Sequence, residues 1–249
     1  MNLIKLTMNL GIDIGNSSVK VAVFEAGKLI ESKTFLKDNL FEELKQIKSA
    51  FPIKNAILST VTVIAPAILI KLKTLFPLKI LSNQLKLPYT IAYKTLETLG
   101  LDRIALVASA VLNYPNQNVL VIDAGTCITF DFITEKGVYL GGAISPGIQM
   151  RYNALHAQTA KLPLLELKYP ENYIGDSTEM SIHTGVCLGT IYEINGAIAK
   201  YKSKYRKLTV VLTGGNTNFL AGKLKSTIFA NSNFLLEGLN FILNFNLQE

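Results

Sequence analysis

The sequence predicts an α/β fold of two duplicated lobes, each opening with a three-stranded meander. Three observations carry that expectation. The segment LGIDIGNSSVKVAVFEAGKL is matched in the middle of the chain by LVIDAGTCITFDFITEKGVY, Asp13 falling against Asp123, Gly15 against Gly125 and Ser17 against Cys127. At one constant spacing after each Asp stands a turn glycine, Gly27 or Gly137. After each copy, period-two alternation gives way to helical periodicity and short buried runs, as strands alternating with helices require.

The elements follow in order. An apolar run (Met8, Leu10, Ile12, Ile14) and an alternating run (Val19, Val21, Val23) flank a polar turn, predicting strand, tight turn and strand. LFEELKQIKSAF reads as a helix, NAILSTV as a buried strand ending in small polar residues, and APAILIKLKTLF as a helix again. LDRIALVASAVLNY predicts a buried helix whose alanines permit close packing, and the turn-rich YPNQN places a boundary between lobes at 1–117 and 118–249. In the second half SPGIQMRYNALHAQTAKL and STEMSIHTGVCLGTIYEINGAIAKYKSKY read as helices, and LTVVLTGGN as a strand running into a double glycine. Gly185, Gly189 and Gly196 cost stability in the long helix 177–200, so they predict close approach of another backbone, within the lobe or across a two-fold axis.

Composition narrows the function classes. The 249 residues are 49% hydrophobic and 17% charged, which supplies a substantial core and excludes disorder. The net charge of +7 is carried mostly by lysine, with Arg103, Arg151 and Arg206 the only arginines. The densest basic stretch, KYKSKYRK (200–207), is accounted for as a solvated helix end with cations near its C-terminal dipole, so no nucleic-acid partner is expected. Cys127 and Cys187 form no CxxC pair, and with only His156 and His183 there is no zinc pattern; the expectation is a reduced, cytoplasmic protein. The apolar N-terminus is too short for a signal sequence, Met8 is an alternative start, and no membrane-length run follows, so no membrane partner is expected.

Two Asp-x-Gly turns facing each other across a cleft have a chemical use. Their backbone N–H groups and the hydroxyls of Ser17, Ser18 and Thr126 can hold phosphate oxygens, while Asp13 and Asp123 can hold cations directly or through water. GxxxxGK[ST] is absent. Gly214–Gly215 would let a flat nucleotide approach the backbone, although a double glycine after a strand is often only a turn.

At these residues the chain resembles the acetate and sugar kinase/actin superfamily, and within it the type III pantothenate kinases. The resemblance rests on DIGNSSVK (13–20), GLDR (100–103), DAGT (123–126), GGAISPG (141–147), IGDST (174–178) and TGG (213–215), in that order along nearly the whole chain. It implies two actin/RNase H-like lobes, each a mixed sheet with flanking helices, with an ATP cleft between them. It implies ATP-dependent phosphorylation of pantothenate, the first step toward coenzyme A, with Mg2+ and a monovalent cation, K+ or NH4+, and a homodimer. Carried onto this chain, Asp13, Ile14, Gly15, Asn16, Ser17, Ser18, Val19, Lys20 and Thr126 contact ATP, and Asp123 binds the monovalent cation. Tyr93, Gly100, Leu101, Asp102, Arg103 and Thr178 meet pantothenate, and Asp102 is the proton acceptor. Ser17 replaces a more usual Thr and keeps its hydroxyl; Cys127, where a small Ala is common, reads as packed.

Spacing alone leaves alternatives beside several of these roles. Asp102 stands at a helix start, where the dipole favours a negative side chain, and would serve equally as a simple cap. Arg103 offers donors to an anionic substrate. Tyr93 reads as a packed tyrosine and Lys20 as a phosphate-neutralising or merely solvated cation. Asp176 and Glu179 resemble a capping box, which would put Thr178 in a first helical turn where hydroxyl and free N–H groups meet an anion. A transcriptional accessory factor with a vestigial site is the alternative function; the intact Asp13, Asp102, Arg103, Asp123 and Thr126 argue against it.

Overall fold

The computed structural model describes residues 8–16, 18–60 and 62–247. Ser17, one of the expected ATP contacts, therefore lies outside the described residues. The chain forms two compact units, one from the described residues of Met1–Pro115, Gly137–Tyr139 and Asn233–Glu249, the other from Asn116–Lys136 and Leu140–Ser232.

In the first unit, β1 (Met8–Ile14), β2 (Ser18–Glu25) and β3 (Lys28–Leu36) form the expected meander, followed by α1 (Leu40–Ala50), β4 (Ile53–Thr60), α2 (Pro66–Leu75) and β5 (Leu78–Ile80). The sheet order is β3-β2-β1-β4-β5, with β4 parallel to β1 and β5 parallel to β4. A two-residue strand, β6 (Thr90–Ile91), and α3 (Leu101–Asn113) complete this part of the chain.

The alternation of MNLGIDI divides the sheet's two faces. Leu10, Ile12 and Ile14 join Val19, Val21, Val23, Ala56 and Leu58 in a core with Leu40, Leu44, Ile47 and Leu72 of α1 and α2. The intervening Asn9, Gly11 and Asp13 face the other way. There the last helix, α8 (Phe234–Phe245), and α3 cover the sheet: Asn9 Nδ2 donates to Asn240 Oδ1 at 3.0 Å and Asn244 Oδ1 at 2.7 Å, and Asn55 Nδ2 donates to Asn9 Oδ1 at 3.2 Å. The two helices meet at Gly238, where a Cβ would lie 2.7 Å from the Ala105 carbonyl carbon. The alanines of α3 permit this approach, as the sequence suggested.

The second unit repeats the plan. β7 (Asn118–Ala124), β8 (Cys127–Ile133) and β9 (Val138–Pro146) form its meander, and α4 (Ile148–Ala157), α5 (Thr178–His183), α6 (Gly189–Lys204), β10 (Leu208–Thr213), α7 (Thr217–Ala221) and β11 (Phe229–Ala230) follow. The strand order β9-β8-β7-β10-β11 has the same plan as the first sheet, again with parallel partners beside the leading strand. The first two residues of β9, Val138 and Tyr139, belong to the first unit, where they pair with β6. The turn glycines at matched positions both have positive φ, 83° at Gly27 and 69° at Gly137, which only glycine adopts without strain.

The helical readings of the second half need correction. SPGIQMRYNALHAQTAKL is helical only to Ala157; Thr159 Oγ1 then donates to the Leu155 carbonyl at 2.7 Å and His156 Nδ1 lies 2.7 Å from the Leu162 carbonyl, local side-chain bonds that compete with another helical turn. Residues 158–177 form an irregular strap. The long helix is interrupted by a π-wound turn, Thr184–Leu188. A Cβ at Gly185, Gly189 or Gly196 would meet nothing within 4 Å, so among the described residues no backbone approaches these glycines.

Candidate active site

Asp13 is the penultimate residue of β1, and strand register decides its neighbours. It pairs with Lys20 across the antiparallel hairpin and with Ser59 across the parallel ladder to β4. Parity points all three toward the face covered by α3, whose first turn carries Asp102. Asp13 is 9% exposed, and burial pushes its carboxyl up to about 6; the Lys20 charge opposes the rise, the Asp102 charge adds to it, and the Ser59 hydroxyl opposes it. Ser59 Oγ makes no hydrogen bond of good geometry among the described residues, yet stands near enough to Asp13 to favour its charged form. Ser59 was not among the sequence candidates; its only signal was the polar ending of NAILSTV, which becomes informative once β4 is known to run parallel to β1.

The turn after Asp13 closes with Gly15 N–H donating to the Ser18 carbonyl at 3.0 Å. Asn16 is exposed, whereas Ile14 and Val19 are buried in the core as the last pair of the hairpin. Those two can therefore offer a phosphate only backbone atoms.

Gly100 is the N-cap residue of α3, and Asp102 Oδ1 accepts the Arg103 N–H at 2.8 Å. Asp102 is half-buried. A Cβ at Gly100 would strike Asp102 Oδ1, so a larger residue at this cap would displace the carboxylate. Leu101 beside it is half-buried. Arg103 is 5% exposed, with its guanidinium 5.7 Å from the Tyr93 ring centroid. Tyr93 in turn stacks on Tyr139 at 6.4 Å with 5° between the ring planes. The stacked rings lie beside the guanidinium, with Tyr93 within cation–π range of it. Tyr93 is thus part of the arginine's support, and Tyr139, which the sequence reading did not single out, is the next layer.

In the second unit Asp123 occupies the place that Asp13 has in the first. Its register partners are Thr213 on β10 and Thr129 on β8. The turn closes with Gly125 N–H donating to the Cys127 carbonyl at 2.9 Å, leaving Thr126 exposed at the tip. Gly147, from GGAISPG, donates its N–H to the Thr126 carbonyl at 3.1 Å, and a Cβ there would lie 2.8 Å from the Thr126 carbonyl carbon. Gly214 has φ of 93° and a Cβ on it would lie 2.6 Å from the Ala124 carbonyl carbon, so this glycine serves the packing of the Asp123 turn. Of the double glycine, Gly215 alone leaves open space.

Thr178 is the first residue of α5, as expected, but the capping differs: the N-cap is Ser177, whose Oγ accepts the Met180 N–H at 3.2 Å, rather than the Asp176–Glu179 box. Ser wins because its short side chain reaches the third helical N–H directly. Thr178 is exposed and lines a groove of about 710 Å³ with Leu155, Leu162, Gly175, Ser181 and Ile182.

Among the described residues no three acidic, His or Cys side chains gather as a metal cage. The raised Asp13 carboxyl beside the Asp102 charge instead suits a divalent cation carried in with phosphate oxygens, since Mg2+ characteristically uses one or two carboxylates together with its phosphates.

Residues 9–200 match the family model described as type III pantothenate kinase. The chain is 52% identical over 240 residues to the type III pantothenate kinase of Christiangramia forsetii, covering 96% of this chain and 99% of that one. It is 46% identical over 234 residues to that of Flavobacterium johnsoniae, covering 94% and 96%. Among solved structures, one described as a conserved Baf family transcriptional activator from Campylobacter jejuni aligns with TM-score 0.66 and 22% identity over 96% of this chain and all of that one, a likeness of fold.

Proposed function

The chain belongs to the type III pantothenate kinase family and phosphorylates pantothenate with ATP, the first step toward coenzyme A, and we propose how its residues divide that work. The observation that carries the function is 52% identity along 96% of the chain.

In the proposed arrangement the ATP phosphates lie against residues 13–20, using backbone N–H groups at the hairpin turn and the Lys20 ammonium; Thr126 is proposed separately as an ATP contact through its hydroxyl. Mg2+ bound with ATP supplies positive charge to the phosphate oxygens, and Asp13 is the carboxylate of this chain that fits it. Arg103, braced by Tyr93, pairs with the pantothenate carboxylate. Asp102, anchored through Oδ1, orients the substrate hydroxyl with Oδ2. That hydroxyl oxygen bonds to the γ-phosphorus as the bond to the ADP oxygen breaks, and its proton passes to Asp102. A loose transition state asks little basicity of the acceptor, so a carboxylate suffices late in the step. Asp123 is the proposed carboxylate for K+ or NH4+.

We further propose a homodimer built on the glycine face that runs from the π-wound turn along α6, with Thr178 serving the partner subunit's pantothenate. Gly185 and Gly196 are exposed and open, which supports a covering chain on this face. The function is tested by steady-state turnover with ATP, Mg2+ and K+ against pantothenate, sugars and short carboxylic acids; turnover confined to pantothenate is expected, and preference for another acceptor would overturn it.

A further inference from the structure

Beneath the groove lined by Thr178 lies a buried polar chain that the chemistry above does not use. Tyr152 of α4, His183 at the end of α5 and Cys187 in the π-wound turn are 1%, 2% and 0% exposed. Tyr152 Oη lies 2.8 Å from His183 Nδ1 and 3.3 Å from Cys187 Sγ, and Cys187 Sγ donates to the Lys168 carbonyl at 3.2 Å. His183 Nε2 is 3.6 Å from Glu179 Oε1. With Nδ1 protonated, His183 donates to Tyr152 Oη, Tyr152 donates to Cys187 Sγ and Cys187 to the Lys168 carbonyl, the tautomer that satisfies the most partners. Burial pushes both the Tyr152 phenol and the Cys187 thiol up, so both remain protonated donors.

This chain ties together the three segments that meet at Thr178. Through Cys187 it holds the middle of the strap 158–177 at Lys168, and Thr184 Oγ1 donates to the Asn172 carbonyl at 3.3 Å, holding it again further on. The strap then turns at Gly175, whose carbonyl accepts from Ser181 Oγ at 3.3 Å and where a Cβ would lie 2.6 Å from the Met180 carbonyl carbon. Three residues later Thr178 begins α5. A π-wound turn breaks regular helical bonding and is retained where its side chains do something a regular helix would not allow; here it brings Cys187 to both Tyr152 and Lys168.

We propose that Tyr152, His183 and Cys187 are positioning residues for pantothenate, acting by fixing the strap and the start of α5 and hence the Thr178 hydroxyl. The inference rests on the reading of Thr178 as a pantothenate contact. A merely structural defect lowers the amount of competent enzyme and so kcat; displacement of one binding hydroxyl raises the KM of one substrate. Tyr152→Phe should raise the pantothenate KM about tenfold while kcat and the ATP KM stay within about twofold, as small displacements of positioning groups do. His183→Asn, whose side-chain amide can replace Nδ1 as the hydrogen-bond partner of Tyr152 Oη, should keep the wild-type pantothenate KM, and His183→Leu should not. An unchanged pantothenate KM in Tyr152→Phe, or equal effects of Asn and Leu at position 183, would overturn the proposal. Should Tyr152→Phe fail to fold, the position-183 pair decides. Thr178→Val, measured alongside, separates the premises: if it leaves the pantothenate KM unchanged, the role of Thr178 is wrong; if it raises KM while Tyr152→Phe does not, only the positioning role is wrong.

Discussion

Asp13→Asn should make the unliganded protein more stable and leave it without turnover. The carboxyl is 9% exposed and its pKa stands at about 6 against 3.8 for the free side chain. At roughly 1.4 kcal/mol per unit, holding the carboxylate charged in the fold costs on the order of 3 kcal/mol, and the near-isosteric amide escapes that cost. The sign follows from which state binds the proton more tightly. The folded form does, so the penalty is absent below pH 3.8, grows up to about 6 and is complete above that. Urea unfolding of wild type and variant, following the first unit, should therefore show the variant ahead by about 3 kcal/mol at about pH 8 and by roughly half as much at about pH 5. A pH-independent difference would show that burial of Asp13 is not the source of the gain. Loss of stability at about pH 8 would refute the electrostatic reasoning outright, because it would mean that Lys20 and Ser59 outweigh burial and Asp102.

Asp102→Asn should lower turnover by about 10²–10⁴-fold while calorimetry finds ATP binding retained, since the amide keeps the hydrogen bond and cannot take the proton. Wild-type turnover would move the base elsewhere. Exchanging K+ for Na+ at fixed ionic strength should lower turnover sharply, and unchanged turnover would remove the cation from Asp123. Gly238→Ala should cost about 1–3 kcal/mol in a thermal melt by forcing α8 off Ala105; an unchanged midpoint would mean that the two helices part without strain. Mixed dimers of Asp102→Asn and Thr178→Arg subunits should recover part of the activity, because one pocket then carries both defects and the other neither. Verified heterodimers that stay inactive would return Thr178 to its own subunit.

Much of this was legible because the duplication writes the same alternation twice. Asp13 and Asp123 are each the penultimate residue of their leading strand, Gly27 and Gly137 turn with positive φ, and the strand order of the first sheet recurs in five strands of the second, to which β6 is added. What was not legible depends on pairing across long stretches of chain. Ser59 meets Asp13 only because β4 runs parallel to β1 in one particular register, and Tyr139 stacks on Tyr93 from β9. β6 and β11 are two residues each, too short for any period to register. The π-wound turn keeps a helix-like apolar pattern, so TGVCL gives no sign that Cys187 has been turned toward Tyr152. Nor does the apolar pattern of α8 say which sheet the helix covers.

That last helix gives the fold an order in time. Once β1 has left the ribosome, Asn9 waits for Asn240 and Asn244, 231 and 235 residues further on, and Gly11 waits for Leu236. At about 5–20 residues per second, that interval lasts on the order of ten seconds or more. Leu140–Ser232, by contrast, is continuous, so most of the second unit's strands and helices emerge in one run. The unit begun first is the one finished last. Until α8 arrives, Gly11 and Phe24 on that face of the first sheet lack their cover, and Asn9 lacks its partners on the helix.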